Sequence, residues 1–382
     1  MQFRDLQKQY EVLKPQIDAA MLDVAASARF ISGPQVKELE KQLAEYTGVK
    51  HCITCANGTD AITIAMRAWG IGKGDAVFVP DFTFFSSGEC PADEGATPVF
   101  VDVDPVTYNI DPAKLETAVK KVIDEGRYRP GVVVAVDLFG LPADFQAIRA
   151  VCEKYGLLLM EDAAQGFGGS INGKKACSFG DIATTSFFPA KPLGCFGDGG
   201  AIFTDNDEWA DLIRSICVHG KDTGNPDDPN AKYNNVRIGK NSRLDTIQAA
   251  VLLPKLKAFA DYELEDVNKV VSWYSEGLKD SGLILPVVSE GYYSSWAQYT
   301  VRLPEGTDRK AVQAKLKEAG IPAMIYYAKP MHLQGAFSGT DSADADCPVT
   351  CDLCKTVLSL PIDPYKTRED IDLVVTELKK AL

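Results

Sequence analysis

The sequence has no apolar run that approaches the length of a membrane span, and it has no internal repeat or low-complexity tract. Its first residues, MQFRDLQKQYEVLK, are charged and lack the apolar core of an export signal, so we expect a cytoplasmic protein. Basic residues are outnumbered, with 40 lysines and arginines against 53 aspartates and glutamates, a net charge of −13. They also form no cluster along the chain. This balance argues against a nucleic-acid-binding function.

Ten cysteines in a chain without an export signal are expected to be reduced thiols. Two C-x-x-C pairs, Cys52 with Cys55 and Cys351 with Cys354, have a spacing that also occurs in zinc sites. The first pair adjoins a candidate phosphate-binding turn and the second lies in a helix-like segment, so we predict no metal site. We interpret Cys195 as a small apolar core residue.

One lysine lies between aromatic residues and a glycine-rich turn, in the segment TTSFFPAKPLGCFGDGGAIFT at 184–204. An amine forms a Schiff base with a carbonyl compound only when it is deprotonated, and partial desolvation or a nearby cation lowers its pKa enough for that. Lys191 is therefore a candidate reactive amine. Upstream, the apolar run 157–160 predicts a buried strand that ends in Glu161 and Asp162.

A third feature is the segment CANGTDAITIAMRAWG, in which Asn57, Gly58 and Thr59 precede a predicted helix at 60–69. A turn of small residues before a helix directs free N–H groups and the positive end of the helix dipole at an anion. Ser186 offers a hydroxyl to the same anion if the chain folds back between it and Lys191. A lysine, a carboxylate and a phosphate cradle are what pyridoxal 5′-phosphate requires, so we predict this cofactor.

Predicted strands and helices alternate along the first half of the chain. The strands are expected at 76–79, 97–101 and 131–136, and the helices at 113–124 and 143–154. Such alternation implies an α/β fold whose mainly parallel sheet has helices on both faces and binds ligands at the carboxyl ends of its strands. We divide the chain into an N-terminal segment with a large cofactor-binding domain, 1–253, and a small α+β C-terminal domain, 254–382.

These segments resemble the pyridoxal-phosphate-dependent nucleotide-sugar aminotransferases of the DegT/StrS family, in the fold type I superfamily of aspartate-aminotransferase-like enzymes. The resemblance covers essentially the whole chain. It runs from FRDLQKQY and ISGPQVKELEKQLAEYTGVKHC through CANGTDAI, EDAAQGFGG and SFFPAKPLGCFGDGGAIFT to VRIGKNSRLDTIQAAVLLPKL and LSLPIDPY. The lysine segment and NSRLD are its most specific parts. SFFPAKPLGC and AQYTVRL are most similar to the 3-aminotransferases that act on UDP-2-acetamido-2-deoxy-3-oxo-glucuronate.

The resemblance implies a role for each candidate residue. Lys191 would carry the cofactor and then act as the base that moves a proton between substrate carbon and cofactor carbon. Asp162 would keep the ring nitrogen charged. Gln165 would lie near the ring oxygen or ring face, and Phe84 would stack on the ring. The phosphate would be held by Gly58, Thr59, Ser186 and, from the neighbouring subunit of a homodimer, Asn241.

For the substrates, the resemblance implies L-glutamate as amino donor and a UDP-linked keto-sugar as acceptor, in surface polysaccharide or lipopolysaccharide biosynthesis. The residues expected to face the sugar are Arg243, Tyr326, Tyr327 and His332. The exposed stretch 219–240 is interpreted either as a solvated connection or as a loop that crosses to the other subunit and helps close the sugar site.

Other functions remain to be distinguished. Amination at C4 instead of C3, or a cofactor-binding regulatory protein of the same fold without catalysis, would use much of the same sequence. A sugar dehydratase of this fold would have histidine in place of Lys191. GCFGDGG does not have the spacing of a dinucleotide-binding fingerprint, which argues against an oxidoreductase.

Overall fold

The computed structural model describes residues 1–222 and 234–382. A seven-stranded sheet organises the larger part of the chain. Its strands, in spatial order, are β1 (His51–Cys55), β9 (Gly200–Thr204), β8 (Ile182–Ser186), β5 (Leu158–Asp162), β4 (Arg129–Val136), β2 (Asp75–Pro80) and β3 (Thr97–Val101). Strand β9 is antiparallel to both of its neighbours, and the other four pairs are parallel. The prediction of a mainly parallel sheet is confirmed.

Helices connect the strands and cover both faces of this sheet. They are α3 (Gly58–Ala68), α4 (Ser86–Asp93), α5 (Pro112–Glu125), α6 (Phe145–Tyr155) and α7 (Asp207–Cys217). Alternate residues of β4 enter two different hydrophobic clusters: Val132 and Val134 pack in one, Val133 and Ala135 in the other. Because successive side chains of a strand point to opposite faces, both faces of the sheet are buried.

Helix starts explain the positions of several elements. Asn57, Asp111, Asp144 and Asn206 each accept a hydrogen bond from a backbone N–H in the first turn of the following helix. Such N-caps satisfy donors that the helix itself leaves free. The first of these helices, α3, begins directly at the carboxyl end of β1.

The remaining elements form the N-terminal and C-terminal parts. They are α1 (Leu6–Ser27), α2 (Pro34–Thr47), β6 (Ser170–Ile171), β7 (Lys174–Lys175), α8 (Thr246–Ala258), a π-helical turn (Phe259–Glu263), α9 (Leu264–Leu278), β10 (Tyr292–Tyr293), β11 (Tyr299–Arg302), α10 (Arg309–Glu318), α11 (Pro348–Thr356), β12 (Val357–Leu360) and α12 (Arg368–Ala381). Strands β11 and β12 pair antiparallel, and β10, β6 and β7 form a small sheet.

The predicted domain boundary falls inside α8, because Pro254 lies within that continuous helix. One hydrophobic cluster also joins residues from both sides of the boundary, among them Leu193, Leu252, Leu316 and Val374. The division into 1–253 and 254–382 therefore stays a prediction.

The ends of the stretch 219–240 lie side by side. Val218 pairs with Asn241, and Lys221 pairs with Asn235, in isolated antiparallel bridges. Residues 223–233, and with them the prediction that this loop crosses to another subunit, lie outside the described residues. In the part of the chain that is described, no helix has the length and apolar character needed to span a membrane.

Candidate active site

Asp162 lies at the carboxyl end of β5, in the middle of the sheet, and is only 5% exposed. Its Oδ2 accepts a hydrogen bond from Ser87 Oγ at 2.8 Å, and its Oδ1 accepts one from the Ala164 N–H at 3.2 Å. Burial raises the pKa of Asp162, while these hydrogen bonds and the charge of Lys191 act in the opposite direction. The carboxylate is thus oriented from two sides and sheltered from water.

Lys191 lies in a tight turn that follows β8. Its N–H donates to the Phe188 carbonyl at 2.8 Å, and the Cys195 N–H donates to the Phe187 carbonyl at 2.8 Å. Burial lowers the pKa of Lys191, and the charge of Asp162 opposes this shift. A lowered pKa increases the fraction of neutral amine, which is the form that attacks a carbonyl carbon.

The third part of the site is the start of α3, beside the end of β8. Asn57 Oδ1 accepts a hydrogen bond from the Asp60 N–H at 2.7 Å. The N–H groups of Gly58 and Thr59, the first two of the helix, have no acceptor within the helix. A Cβ on Gly58 would lie 2.7 Å from the Cβ of Ser186, so only glycine allows this close approach.

This arrangement fits pyridoxal 5′-phosphate. The cradle that a side chain at position 58 would fill presents helix N–H groups and hydroxyls, which bind phosphate. Asp162 can hold a protonated ring nitrogen, and Lys191 can bond to the aldehyde. Groups that suit three requirements of one cofactor therefore come from β1–α3, β5 and the turn after β8: backbone N–H groups from the first, and side chains from the other two.

Residues 12–379 match the model of the DegT/DnrJ/EryC1/StrS aminotransferase family. The chain belongs to this family. It is 44% identical, over 99% of both chains, to the UDP-2-acetamido-2-deoxy-3-oxo-D-glucuronate aminotransferase of Pseudomonas aeruginosa. It is also 42% identical to the pleiotropic regulatory protein of Geobacillus stearothermophilus, over 98% of this chain and 96% of that one.

The structure agrees with this membership. A DegT DnrJ EryC1 StrS aminotransferase from Brucella abortus is 46% identical and superimposes with a TM-score of 0.94, covering 100% of this chain and 99% of the other. The prediction of fold type I is confirmed. Aminotransferases of the DegT family depend on pyridoxal phosphate, as predicted here for this chain.

A hydrogen bond and a ring contact join a second group of candidate site residues: Gln165, Tyr327 and Phe84. Gln165 Nε2 donates to Tyr327 Oη at 2.9 Å, and its Oε1 accepts from the Phe139 N–H at 2.8 Å. The ring centroids of Phe84 and Tyr327 lie 6.5 Å apart, and Phe84 is 54% exposed. The structure therefore brings together two predicted cofactor contacts and one predicted sugar contact, whose roles stay predictions.

His332 is buried against the end of β2, at 7% exposure. Its ring Nδ1 lies 2.7 Å from Asp81 Oδ2, and its backbone N–H donates a hydrogen bond to Asp81 Oδ1 at 2.8 Å. These bonds fasten the segment that carries Tyr326 and Tyr327 to the central sheet. Contact of His332 with the sugar stays a prediction, and the structure adds an anchoring contact that the sequence did not suggest.

Asp81 and His332 also lie near Cys347, with potential ligand atoms within 4.8 Å of one another. Among the described residues, these three are the group whose potential ligand atoms lie close enough together to hold a metal ion. Neither C-x-x-C pair contributes a residue to this group. In the structure the histidine ring and the carboxylate are hydrogen-bonded to each other.

Cys195 is buried in the core, as predicted, and its Sγ donates to the Phe187 carbonyl at 3.1 Å.

The NSRLD segment adjoins the candidate phosphate-binding turn within the same chain. Ser242 Oγ accepts a hydrogen bond from the Ala56 N–H at 3.1 Å. Asn241 is exposed and accepts a hydrogen bond from the guanidinium of Arg243. Contact of Asn241 with the phosphate of a second subunit, and of Arg243 with the sugar, stay predictions.

Sequence reasoning missed two serines at the start of α4. Ser87 orients Asp162, and Ser86 Oγ lies 2.9 Å from Thr59 Oγ1. The signal available was their place in DFTFFSSGE, just after β2, where ligands of a parallel sheet bind. The other acid at the end of β5, Glu161, accepts hydrogen bonds from the backbone N–H groups of Cys177, Phe179 and Gly180, so it supports the fold.

Replacing Gly58 by alanine is expected to raise the apparent Kd for pyridoxal phosphate by about tenfold or more. The added Cβ would meet Ser186 at 2.7 Å, and overpacking of this kind costs about 1–3 kcal/mol. Equilibrium titration of the cofactor measures the effect. Gly335→Ala is the matched control, because a Cβ there has no neighbour within 4 Å. An unchanged Kd in Gly58→Ala would remove this turn from the cofactor site.

Proposed function

We propose that this aminotransferase moves the amino group of L-glutamate to the C3 keto group of UDP-2-acetamido-2-deoxy-3-oxo-glucuronate, for lipopolysaccharide or another surface polysaccharide. The observation that carries the proposal is the 44% identity, over 99% of both chains, to the Pseudomonas aeruginosa enzyme named for that sugar. The pairing of a low-pKa Lys191 with a buried Asp162 supports catalysis.

Bound pyridoxal phosphate supplies the carbonyl that receives the amino group and a ring that delocalises negative charge. The amine of Lys191, once free, accepts the proton from the donor carbon and returns it to the cofactor side. The carboxylate of Asp162, oriented by Ser87, favours a protonated ring nitrogen. Because one site handles donor and acceptor in turn, ping-pong kinetics are expected.

The proposed acceptor is anionic, whereas the chain has a net charge of −13. The start of α3 offers N–H groups and a positive dipole end to the cofactor phosphate, and Arg243 offers a cation. Arg243 is the candidate partner of the sugar carboxylate. Its guanidinium, bonded to Asn241, is positioned by a neighbour two residues away.

The proposal includes a cytoplasmic homodimer. All ten cysteines are free thiols and nine of them are buried, which suits a reducing compartment. Asn241 is exposed in the single chain, in keeping with a contact supplied to a second copy. In this arrangement each active site would be completed by the NSRLD segment of the partner.

A regulatory protein of the same fold is the second candidate, favoured by the 42% identity to the pleiotropic regulatory protein of Geobacillus stearothermophilus. A regulator needs no matched acid, base and carbonyl-binding groups. Lys191, Asp162 and Gln165, each held by defined contacts, therefore favour the enzyme. Amination at C4 would use the same groups with a different sugar orientation.

The test is the visible spectrum of the purified protein with pyridoxal phosphate, before and after L-glutamate. We expect the band of lysine-linked cofactor to convert to that of the pyridoxamine form. A panel of UDP-linked 3-keto and 4-keto sugars, added to the converted protein, then identifies the acceptor by return of the original band. A band that glutamate and other amino acids leave unchanged would favour the regulatory candidate.

A further inference from the structure

A second lysine, Lys255, is buried in the last turn of α8 at 2% exposure. Its Nζ donates a hydrogen bond to the Gly194 carbonyl and lies 5.3 Å from the ring centroid of Phe196. Burial lowers its pKa to about 8; the charge of Glu263 opposes this shift, and that of Arg4 adds to it. Burying an amine in this way is costly, and an apolar residue would avoid the cost.

The carbonyl that Lys255 binds belongs to the turn that carries Lys191. Gly194 lies three residues after Lys191, and the turn is closely packed there, because a Cβ on Gly194 would lie 2.5 Å from the Pro189 carbonyl oxygen. A displacement of Gly194 would therefore displace Pro189 as well. It would also disturb the hydrogen bond from the Lys191 N–H to the Phe188 carbonyl in the same turn.

Helix α8 holds this turn at a second point, and the N-terminal segment holds it at a third. Gln248 Oε1 accepts a hydrogen bond from the Phe196 N–H at 2.8 Å. Arg4 donates to the Pro192 carbonyl at 3.4 Å, and its other terminal nitrogen has no hydrogen-bond partner among the described residues. The bonds of Lys255 and Arg4 are both charge-assisted, and such bonds are the stronger ones. Of the three contacts, that of Lys255 is the fully buried one, at the centre of the turn.

We propose that Lys255 is a positioning residue for Lys191, whose buried amine fixes the Gly194 carbonyl and with it the turn that presents Lys191 to the cofactor. This inference rests on the assignment of Lys191 as the cofactor lysine. Lys255 need not touch the cofactor; it acts through the backbone of 192–196. Its effect is to hold the Lys191 amine in the desolvated place where its pKa is low.

The first test uses the protein without cofactor, so that neither sugar nor amino donor is involved. Reductive methylation with formaldehyde is followed across a range of pH, and the peptide that contains Lys191 is quantified by mass spectrometry. In Lys255→Met we expect the pH profile of Lys191 labelling to shift towards that of an ordinary lysine. A profile that superimposes on that of the unmodified protein would overturn the proposal.

The second test follows the visible band as pyridoxal phosphate links to Lys191 after mixing. We expect the rate constant to fall about tenfold in Lys255→Met, the effect of losing one charge-assisted hydrogen bond. Lys255→Arg retains cationic donors and should recover part of the rate. A rate constant that stays at the original value in Lys255→Met, or that falls equally in Lys255→Met and in Lys257→Met on the same helix, would contradict a positioning role.

The matched control is Lys257→Met, on the same helix. Lys257 is exposed and paired with Asp261 at 2.6 Å, so both readouts should be unchanged. If circular dichroism shows that Lys255→Met does not fold, Lys255→Gln takes its place, with the same expected directions. An original protein that never links to pyridoxal phosphate would defeat the proposed function, whereas the labelling comparison would still decide the role of Lys255.

Discussion

Replacing Lys191 by alanine is expected to lower turnover by at least about a thousandfold while the protein still binds pyridoxal phosphate. The residue would serve as both carbonyl-bonding amine and proton carrier, and loss of a positioned acid–base group alone costs about 10²- to 10⁴-fold. Binding should persist because the start of α3, Ser186 and Asp162 remain. Steady-state turnover and a spectrum that resembles free aldehyde, not lysine-linked cofactor, are the two measurements.

The control for this variant is Lys257→Ala, whose side chain is exposed and lies far along the sequence from the turn. It should leave turnover and spectrum unchanged. Turnover retained by Lys191→Ala would remove that residue from the mechanism. Loss of cofactor binding together with turnover would instead mean that the covalent link dominates the affinity, and that the phosphate cradle contributes little.

Much of the fold could be predicted because the signals are local. The helix expected at 113–124 is observed as Pro112–Glu125, since Asp111 caps its start and Gly126 takes the left-handed conformation at its end. The strand that delivers Asp162 was predicted from an apolar run that ends in two acids, and β5 ends at Asp162. Capping residues, prolines and glycines act on the backbone within a few residues, so helix boundaries can be predicted from the local sequence.

The contacts that complete the site could not be predicted in this way. Ser87 and Asp162 are 75 residues apart, Gln165 and Tyr327 are 162 apart, and Lys255 and the Gly194 carbonyl are 61 apart. Periodicity indicates which face of an element is buried, and it does not identify the partner across the core. His332 illustrates this, because its bond to Asp81 spans 251 residues.

The two acids at the end of β5 show the same limit on a smaller scale. Sequence alone offers Glu161 and Asp162 as equivalent neighbours. In the strand they point in opposite directions: Glu161 accepts three backbone N–H groups, and Asp162 faces Ser87 and Lys191. Alternation along the strand, together with the position of Lys191, indicates a structural role for Glu161 and leaves Asp162 as the candidate for chemistry.

Asp162→Asn is expected to slow the glutamate half-reaction by about 10²- to 10³-fold, as measured by the conversion of the visible band in single-turnover experiments. An amide cannot keep the ring nitrogen protonated, and loss of one preorganised electrostatic partner costs about that much. The amide has nearly the same shape, and the Ser87 hydroxyl can donate to it or accept from it. A rate within a factor of two of the original would exclude Asp162 as the partner of the ring nitrogen.

The same variant should be more stable than the original protein when no cofactor is bound. Burial raises the pKa of Asp162 above its ordinary value, so the folded state binds a proton more readily than the unfolded state does. Stability from this group is present at low pH and is lost as pH rises through the raised pKa. Asp162→Asn should therefore raise Tm near neutral pH, and the gain should shrink as the pH falls.

Glu161→Gln is the control, since it changes the adjacent carboxylate and leaves Asp162 in place. It should lower stability by about 1–3 kcal/mol, because an amide has only one acceptor oxygen, and its NH₂ group would face either the Cys177 N–H or the N–H groups of Phe179 and Gly180. The half-reaction rate per folded molecule should be unchanged. Asp162→Asn should thus raise Tm and slow the half-reaction, whereas Glu161→Gln should lower Tm and leave the rate unchanged. This opposite pattern would show that Glu161 supports the fold, and that Asp162 serves the cofactor at a cost in stability.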